Sequence, residues 1–332
     1  MKIAIVGVGR VALDNYLPAL ISRAGVELLY WNRTPEKAAD AVARFGGRAY
    51  RDLAELCAAG PDAVLVLTSE RCRHEVTREL LTFRPRRLFF EKPLVARNGQ
   101  AQVDEEDFRL GREMLRTARE AGSETAMVFN YRYFEQSLRA ARLREERSLG
   151  PLEQATGLVN YACWSHCIDL LLHFGGACRR VSALAGDTIR TGAGNTAPDV
   201  AVSFAFHNGG AGTIVGTAGT GTVFPLFELT LSFANGRIGF RGLDGDMELL
   251  DNAGSVHEIF AISRNWSRWD HYKNSFGKAV NAYLDTVAAG GPPPVPGLAG
   301  LRELQFEAAM RKSIRTGMPI ELDADFPCDV DP

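Results

Sequence analysis

Apolar positions alternate between two rhythms in the first part of the chain. "KIAIVGVG" (2–9) is a short apolar run closed by glycines and reads as a buried strand. Leu13, Leu17 and Leu20 then recur at helical spacing. "VELLYW" (26–31) is the next strand. "TPEKAADAVARFG" (34–46) is a helix with Thr34 as its cap, Pro35 in the first position and Glu36 in the first turn. "DAVLVLTS" (62–69) predicts a third strand, residues 72–83 a helix, "RLFFEKP" (87–93) a fourth strand, residues 105–122 a helix and "TAMVFNYR" (125–132) a fifth strand. Strands alternating with helices predict an α/β domain built on a parallel sheet with helices on both faces.

Beyond about residue 130 the rhythm changes. A helix over 133–150 leads to a strand at "PLEQATGLVNYA" (151–162), then a helix starting near Ser165 and carrying "HCIDLLLHFGG" (166–176). Strands separated by turn signals follow: "VSALAGD" (181–187), residues 199–219 around a Gly-rich turn, and "FELTLSFANGRIGFRG" (227–242) around Asn235-Gly236. Two helices, 276–290 and 300–317, joined by "GGPPPVPG", close the pattern. The prediction is an N-terminal dinucleotide-binding Rossmann domain over 1–128 and an α+β domain over 129–332. The second is built on an open, mostly antiparallel sheet, and its last helices pack back on the first domain.

The first strand-to-helix turn reads Gly7-Val8-Gly9-Arg10-Val11-Ala12, a G-x-G-x-x-A pattern in the strand-turn-helix context that the motif requires. Gly7 permits the tight turn, Gly9 lets backbone approach a pyrophosphate, and Ala12 allows close helix packing, with the helix N-terminus facing the phosphates. Arg10 and Val11 open that helix and join the cofactor strip. The second strand ends in Trp31-Asn32-Arg33-Thr34. No carboxylate stands there to take a ribose diol, while Asn32, Arg33 and Thr34 can donate to a 2′-phosphate. This predicts NADP(H) as the preferred cofactor, with NAD(H) possible. Ligands bind beyond the carboxyl ends of parallel strands. Thr68, Ser69, Glu91, Lys92, Asn130 and Arg132 all stand at such ends, and Glu91-Lys92 is a charge pair directly following a buried run.

Composition narrows the classes. In 332 residues, 38 Lys+Arg against 40 Asp+Glu leave no basic field for nucleic acid. The Arg-rich segment 138–149 interleaves Glu145 and Glu146 and reads as a solvated helix face. No apolar run reaches the ~20 residues of a membrane span, and the N-terminus does not read as a signal peptide. Six cysteines without a C-x-x-C pair fit a cytoplasmic chain with reduced thiols. Cys163, His166 and Cys167 lack a second ligand pair, so no metal is expected. "NWSRWDHYKNSF" (265–276) crowds Trp266, Trp269, His271 and Tyr272; aromatic faces suit a sugar ring, although the same cluster fits packing of a loop before the next helix.

The order of these pieces resembles the Gfo/Idh/MocA (glucose–fructose oxidoreductase / inositol dehydrogenase) family. The resemblance rests on "GVGRVALDNYLPAL", "DAVLVLTSERCRHE", "FFEKPL", "VFNYRY", "SHCIDLLLHFGG" and "EAAMRKSIRTGMPIEL". It implies NAD(P)-dependent oxidation or reduction of a carbinol carbon on a sugar or cyclitol. Glu91 then contacts the nicotinamide ribose, and Lys92 and His166 are the catalytic pair at the reacting oxygen. An ammonium partly withdrawn from water beside a positively charged ring readily exchanges a proton. The resemblance also implies His74 and Asn130 at the cofactor, a cis peptide before Pro93, and Asp169 orienting substrate or His166. Tyr131, Arg132, Trp266 and Tyr272 complete the expected substrate contacts. A homodimer or homotetramer through the second-domain sheet is implied as well.

One position departs from the family pattern: the Asp common four residues before the histidine is Ala162 here. The segment 150–166 is also short for the family. Reduction of an imine or other polar C=X bond, and a non-catalytic NAD(P)-binding sensor, therefore stay open beside a sugar dehydrogenase.

Overall fold

The computed structural model describes residues 1–219, 226–242, 244–252 and 254–330. Its first sheet is parallel and six-stranded. The strands are β1 (Lys2–Val6), β2 (Glu27–Trp31), β3 (Arg48–Ala49), β4 (Ala63–Val66), β5 (Arg87–Phe90) and β6 (Glu124–Met127), in the order β3-β2-β1-β4-β5-β6. The order reverses direction at β1, so a crevice opens between the ends of β1 and β4. β1, β4 and β5 are almost wholly buried, which is why their sequences are continuous apolar runs rather than alternating ones. Helices α1 (residues 10–21), α2 (Pro35–Phe45), α3 (Leu53–Ala58), α4 (Arg73–Leu81) and α5 (Glu105–Glu120) make the crossovers. The middle of α1, Ala12–Tyr16, is wound as a π-helix.

Two elements go beyond the sequence reading. β3 has only two residues, both exposed, and α3 only six; neither is long enough to show a period. Thr34 is the N-cap residue of α2, but its side chain makes no capping hydrogen bond.

The second sheet has nine strands in the order β14-β13-β12-β11-β7-β10-β9-β8-β15. These are β7 (Leu152–Asn160), β8 (Cys178–Gly192), β9 (Asn195–Phe206), β10 (Ala211–Thr217), β11 (Phe227–Phe233), β12 (Gly236–Arg241), β13 (Met247–Asp251), β14 (Val256–Phe260) and β15 (Ile320–Glu321). Every described pairing is antiparallel except β7 with β10. Hairpin β11–β12 forms as expected, but its turn is Ala234-Asn235, one residue before the predicted Asn235-Gly236, because Gly236 already pairs with Phe233 as the first residue of β12. Helices α6 (Glu135–Glu146), α7 (Trp164–Gly175), α8 (Arg268–Ala289), α9 (Gly297–Thr316) and α10 (Leu322–Asp325) complete the chain. Strands β13 and β14 lie outside the predicted set. Residues 265–276, read as a loop before a helix, in fact begin α8 at Arg268, where Ser267 and Asp270 form a capping box.

The last helices return to the first domain. Phe276, Val280, Tyr283 and Leu284 of α8 join Ile3, Ile5, Tyr16 and Phe89 in one apolar core. Helix α9 lies along α5 and the end of β6: a Cβ on Gly300 would sit 2.8 Å from the Met127 sulfur, and Ala126 bridges to Pro296. This return places α9 beside the turn that follows β5, with Leu301 and Leu304 against Gly111 of α5 and Leu94 nearby.

Candidate functional site

The glycine turn has the geometry of a dinucleotide cradle. Gly7 has φ +98°, and a Cβ there would meet the Thr68 nitrogen at 2.7 Å, so only glycine lets β1 and β4 close up at this point. A Cβ on Gly9 would find nothing within 4 Å, leaving open backbone just before the N-terminus of α1. The Thr68 hydroxyl is buried without a partner. Open glycine backbone, a helix start and an unpaired hydroxyl fit the pyrophosphate end of a nicotinamide dinucleotide.

Several expected cofactor contacts are placed differently. Asn32 is a cross-tie: its Oδ1 accepts from the Val8 N–H at 2.8 Å and its Nδ2 donates to the Thr34 carbonyl at 2.9 Å. It braces the cradle and is no free donor to a ligand. Arg33 makes no ion pair among the described residues. Arg10 reaches along the surface to Asp14 at 3.3 Å, and Val11 is solvent-exposed. The Ser69 hydroxyl donates to Glu70 at 3.3 Å. His74 turns away from the cradle toward α5, where its Nε2 lies 3.9 Å from Glu113. Asn130 donates to Ser275 of α8 at 2.8 Å, while its Oδ1 stays buried and unpaired.

The Glu91-Lys92-Pro93 turn is held from beneath by a residue the sequence did not mark. Arg73, on the first turn of α4, is 2% exposed. Its guanidinium donates to the carbonyls of Glu91 (2.6 Å), Pro93, Leu94 (3.3 Å) and Thr68 (2.8 Å). The Glu91 carboxylate accepts from the Tyr16 hydroxyl and from the Lys92 backbone N–H, both at 2.8 Å. Burial pushes the Glu91 carboxyl up, and the Lys92 and Arg73 charges pull against that shift. The Lys92–Pro93 peptide is cis.

Lys92 Nζ donates to Gln100 Oε1 at 3.3 Å, and Gln100 continues to Asn195 of β9 at 3.4 Å. Its charge acts on Cys163, His166, Cys167 and Glu303, which places the ammonium among residues of α7 and α9. His166 stands on the first turn of α7, 1% exposed, and both ring nitrogens lack a hydrogen-bond partner. Burial, then the Lys92 charge, drives its pKa well below 6.5, so the imidazole is neutral. Tyr131 stacks flat on it, with ring centroids 3.9 Å apart and planes 5° from parallel, and the Tyr131 hydroxyl lies 2.9 Å from Cys163 Sγ. The structure therefore brings the predicted Lys92 and His166 together and adds Gln100, Asn195 and Cys163 to them.

The remaining expected substrate contacts divide. Asp169 is 1% exposed and takes a two-pronged pair from Arg132 at 2.8 and 2.5 Å. The described hydrogen bonds of Asp169 all go to Arg132, and none joins it to His166. Tyr272, on the first turn of α8, is within electrostatic reach of Glu91 and Cys163, and burial pushes its hydroxyl up beyond its ordinary range. Trp266 lies elsewhere: it packs on His271 with centroids 5.4 Å apart and lines a cleft of about 520 Å³ with Arg139, Ile259 and Phe260, a cleft that Tyr272 does not line.

Glu303 and Glu307 of α9 were also missed. A signal was available: "GLRELQFEAAM" carries two glutamates four apart in a helix whose apolar residues occupy every side, and charges in a helix buried all round call for an explanation. Arg73 and Tyr16 gave no such signal, because Arg73 falls at the start of the predicted helix 72–83, where a charged residue is ordinary, and no motif marks Tyr16. Among the described residues no group of His, Cys, Asp and Glu could hold a metal ion. No helix there is long and apolar enough to cross a membrane.

Residues 1–127 match the model of the Gfo/Idh/MocA oxidoreductase family, NAD-binding Rossmann fold. This match likens the first domain to that family's NAD-binding domain and covers 127 of the 332 residues. No curated protein matches the sequence significantly. Similar solved structures extend the fold likeness over the second domain as well. An Agrobacterium radiobacter oxidoreductase in complex with NAD+, L-tartaric acid and magnesium has a TM-score of 0.81 at 16% identity, covering 98% of this chain and 99% of its own. The super-repressor mutant of Gal80p from Saccharomyces cerevisiae gives 0.80 at 14% identity, covering 98% of each chain. The WlbA dehydrogenase from Bordetella pertussis, in complex with NADH and UDP-GlcNAcA, gives 0.76 at 18% identity, covering 97% of each. At these identities the likeness concerns the fold. The fold of these structures, a parallel-sheet domain followed by a mostly antiparallel mixed sheet, runs through the chain.

The buried imidazole makes stability depend on pH. The His166 pKa is lowered in the folded state, so between that value and the unfolded 6.5 the unfolded chain binds more protons. Below pH 6.5 the wild type should lose stability relative to His166→Gln, by up to about 1.4 kcal/mol per pH unit. Urea denaturation of both proteins at pH 7.5 and 5.5 measures this difference; parallel pH dependences would show that His166 is not buried neutral.

Proposed function

We propose that this protein is a nicotinamide-dinucleotide-dependent oxidoreductase acting on the CH–OH or keto carbon of a sugar, amino sugar or cyclitol, with NADP(H) preferred over NAD(H). One observation carries the proposal. The Lys92 ammonium, at the carboxyl end of β5, acts on a buried neutral His166 whose ring nitrogens have no protein partner. A core histidine normally satisfies at least one nitrogen; two unpaired nitrogens beside an ammonium suit the oxygen of a ligand.

Gly7, Gly9 and Thr68 hold the dinucleotide, with Glu91 at the ribose beside the ring. A bound nicotinamide supplies hydride acceptance or donation. In the oxidative direction Lys92 Nζ takes the proton of the substrate hydroxyl, and in the reductive direction it returns that proton to the oxygen. His166, kept neutral by burial, holds the same oxygen through a ring nitrogen. Tyr131 fixes the plane of the imidazole by stacking, and Tyr272 closes the side nearest Glu91. Residues 1–128 serve the cofactor and 129–332 the substrate. The sugar class draws support from the nucleotide-sugar ligand of the WlbA dehydrogenase. The NADP(H) preference rests on Arg33, since Asn32 is engaged within the cradle and no carboxylate stands at 32–34. Leu184 and Ile189 of β8 are 74% and 61% exposed, and a second copy of the chain covering this sheet face makes a homodimer or homotetramer.

Three measurements test this reading. Lys92→Met should cut turnover about 10²–10⁴-fold while leaving NADPH binding intact; unchanged turnover on keto sugars would remove Lys92 from the chemistry. Turnover on imines alone would move the substrate class to C=N bonds, and tight NADPH binding with no oxidation of it by keto sugars or imines would make the protein a nucleotide-binding regulator. Arg33→Asp should lower the NADP-to-NAD preference about tenfold or more, because a carboxylate there repels a 2′-phosphate. Light scattering at micromolar concentration should give a dimer or tetramer mass, and a monomer mass would reject the sheet interface.

A further inference from the structure

Glu303 and Glu307 stand one turn apart on α9, 0% and 1% exposed. Both oxygens of Glu303 and Oε1 of Glu307 lack any hydrogen-bond donor. Two ionised carboxylates cannot remain side by side in such a place. They satisfy each other only when one carries a proton, with Glu303 as donor and Glu307 as acceptor. Burial pushes Glu303 well above its usual range and Glu307 up to about 7, so the pair gives up its first proton near neutrality and keeps the second well above it.

The surrounding charges give the pair a direction. Glu303 faces Lys92 from the turn after β5 and Asp169 from α7. Glu307 faces Arg311 of its own helix, Asp107 of α5 and the indole of Trp164, whose N–H is also unpaired. Asp169 is held by Arg132 and Asp107 by Arg97, and Arg311 also donates to the Val103 and Ala101 carbonyls. Lys92 is thus the cation facing the pair whose ammonium makes no ion pair: it donates 3.3 Å to a neutral amide and feels the carboxylate of adjacent Glu91, itself engaged by Tyr16 and the Lys92 N–H. His166 lies between Trp164 and Asp169 on α7, and Leu304, next to Glu303, packs close to Leu94, two residues past Lys92.

We propose that Glu303 and Glu307 form a buried, proton-gated counter-charge for Lys92, keeping its ammonium loaded when the pair is ionised and releasing that hold when the pair is neutral. The pair does not touch substrate; it acts through Lys92, and its effect on turnover rests on Lys92 being the proton donor and acceptor proposed above.

The test compares wild type, Glu303→Gln/Glu307→Gln and Glu303→Asp. The first readout needs no turnover: the rate of Lys92 acylation by a small amine reagent, followed by mass spectrometry across pH. With the counter-charge gone, Lys92 in the double variant should acylate about tenfold faster in the mildly alkaline range, one pH unit of displacement, while Glu303→Asp keeps the wild-type profile. The second readout is the pH profile of kcat, whose Lys92 limb should move down by the same unit with KM little changed. An acylation profile unmoved in the double variant overturns the proposal. Carbon-13 carboxyl titration of the wild type guards against a variant that does not fold: a glutamate titrating near neutrality supports the pair, and all glutamates titrating in the ordinary carboxylate range overturns it. A displaced acylation profile without turnover on any hydroxyl or keto substrate upholds the counter-charge and overturns the reaction assigned to Lys92.

Discussion

A single buried guanidinium organises the site. Arg73 spends its charge on four backbone carbonyls, those of Thr68, Glu91, Pro93 and Leu94, and these belong to the ends of two neighbouring strands. Carbonyls at the carboxyl ends of parallel strands have no partner in the sheet, and leaving them buried and unpaired would cost ~1–3 kcal/mol each. Arg73 satisfies several at once and so fixes the distance between β4 and the turn after β5. The positions of Glu91 and Lys92 follow from that anchor. Because the Nε of Arg73 has no partner and its other nitrogens meet carbonyls rather than a direct carboxylate bond, the charge is only partly compensated. Its field reaches Glu91, where together with Lys92 it opposes the effect of burial and favours an acceptor-only carboxylate beside the cradle.

Around that anchor, charge is distributed unevenly. Arg132 and Asp169 form a bidentate pair, while burial and the Lys92 charge keep His166 on α7 neutral. Lys92 meets a neutral amide on one side and the carboxyl pair of α9 on the other. The position four before the histidine is a small apolar residue, Ala162, whose N–H is taken by Asn160. Besides adjacent Glu91, the carboxyl group whose charge couples to Lys92 is Glu303, on a helix more than 130 residues further along the chain.

The sequence was most legible where a local rule had one outcome. The Gly7–Ala12 turn, the buried strands, the presence of the β11–β12 hairpin (though its turn falls one residue earlier) and the nearness of Lys92 to His166 follow from motif and period, or from a resemblance carried by such motifs. It was least legible where a side chain has two chemically sound uses and tertiary packing chooses. Asn32 looked like a free donor to a ligand, yet backbone neighbours use both ends of its amide. His74 follows a strand end, but the first turn of α4 directs it toward Glu113. Trp266 and Tyr272, six apart, were read as one aromatic wall; the helix beginning at Arg268 turns them to different places. β3 and α3 were too short to carry a period at all.

The return of α8 to the first domain bears on how the chain can be made. Tyr16 and Phe89 pack edge-on or tilted against Phe276 and Tyr283, and the core they share with Ile3 and Ile5 is closed by residues about 190 to 280 positions downstream. A ribosome emitting this protein delivers the nucleotide-binding half first. Helices α1 and α2 cover part of that sheet face, but the layer over Tyr16 and Phe89 is completed only when α8 emerges, so this aromatic patch stays open through most of synthesis. The two halves therefore mature together: the nascent first domain depends on late-arriving helix for its last layer, and a chaperone that shields apolar surface has its longest-lived target on the face formed by Tyr16 and Phe89.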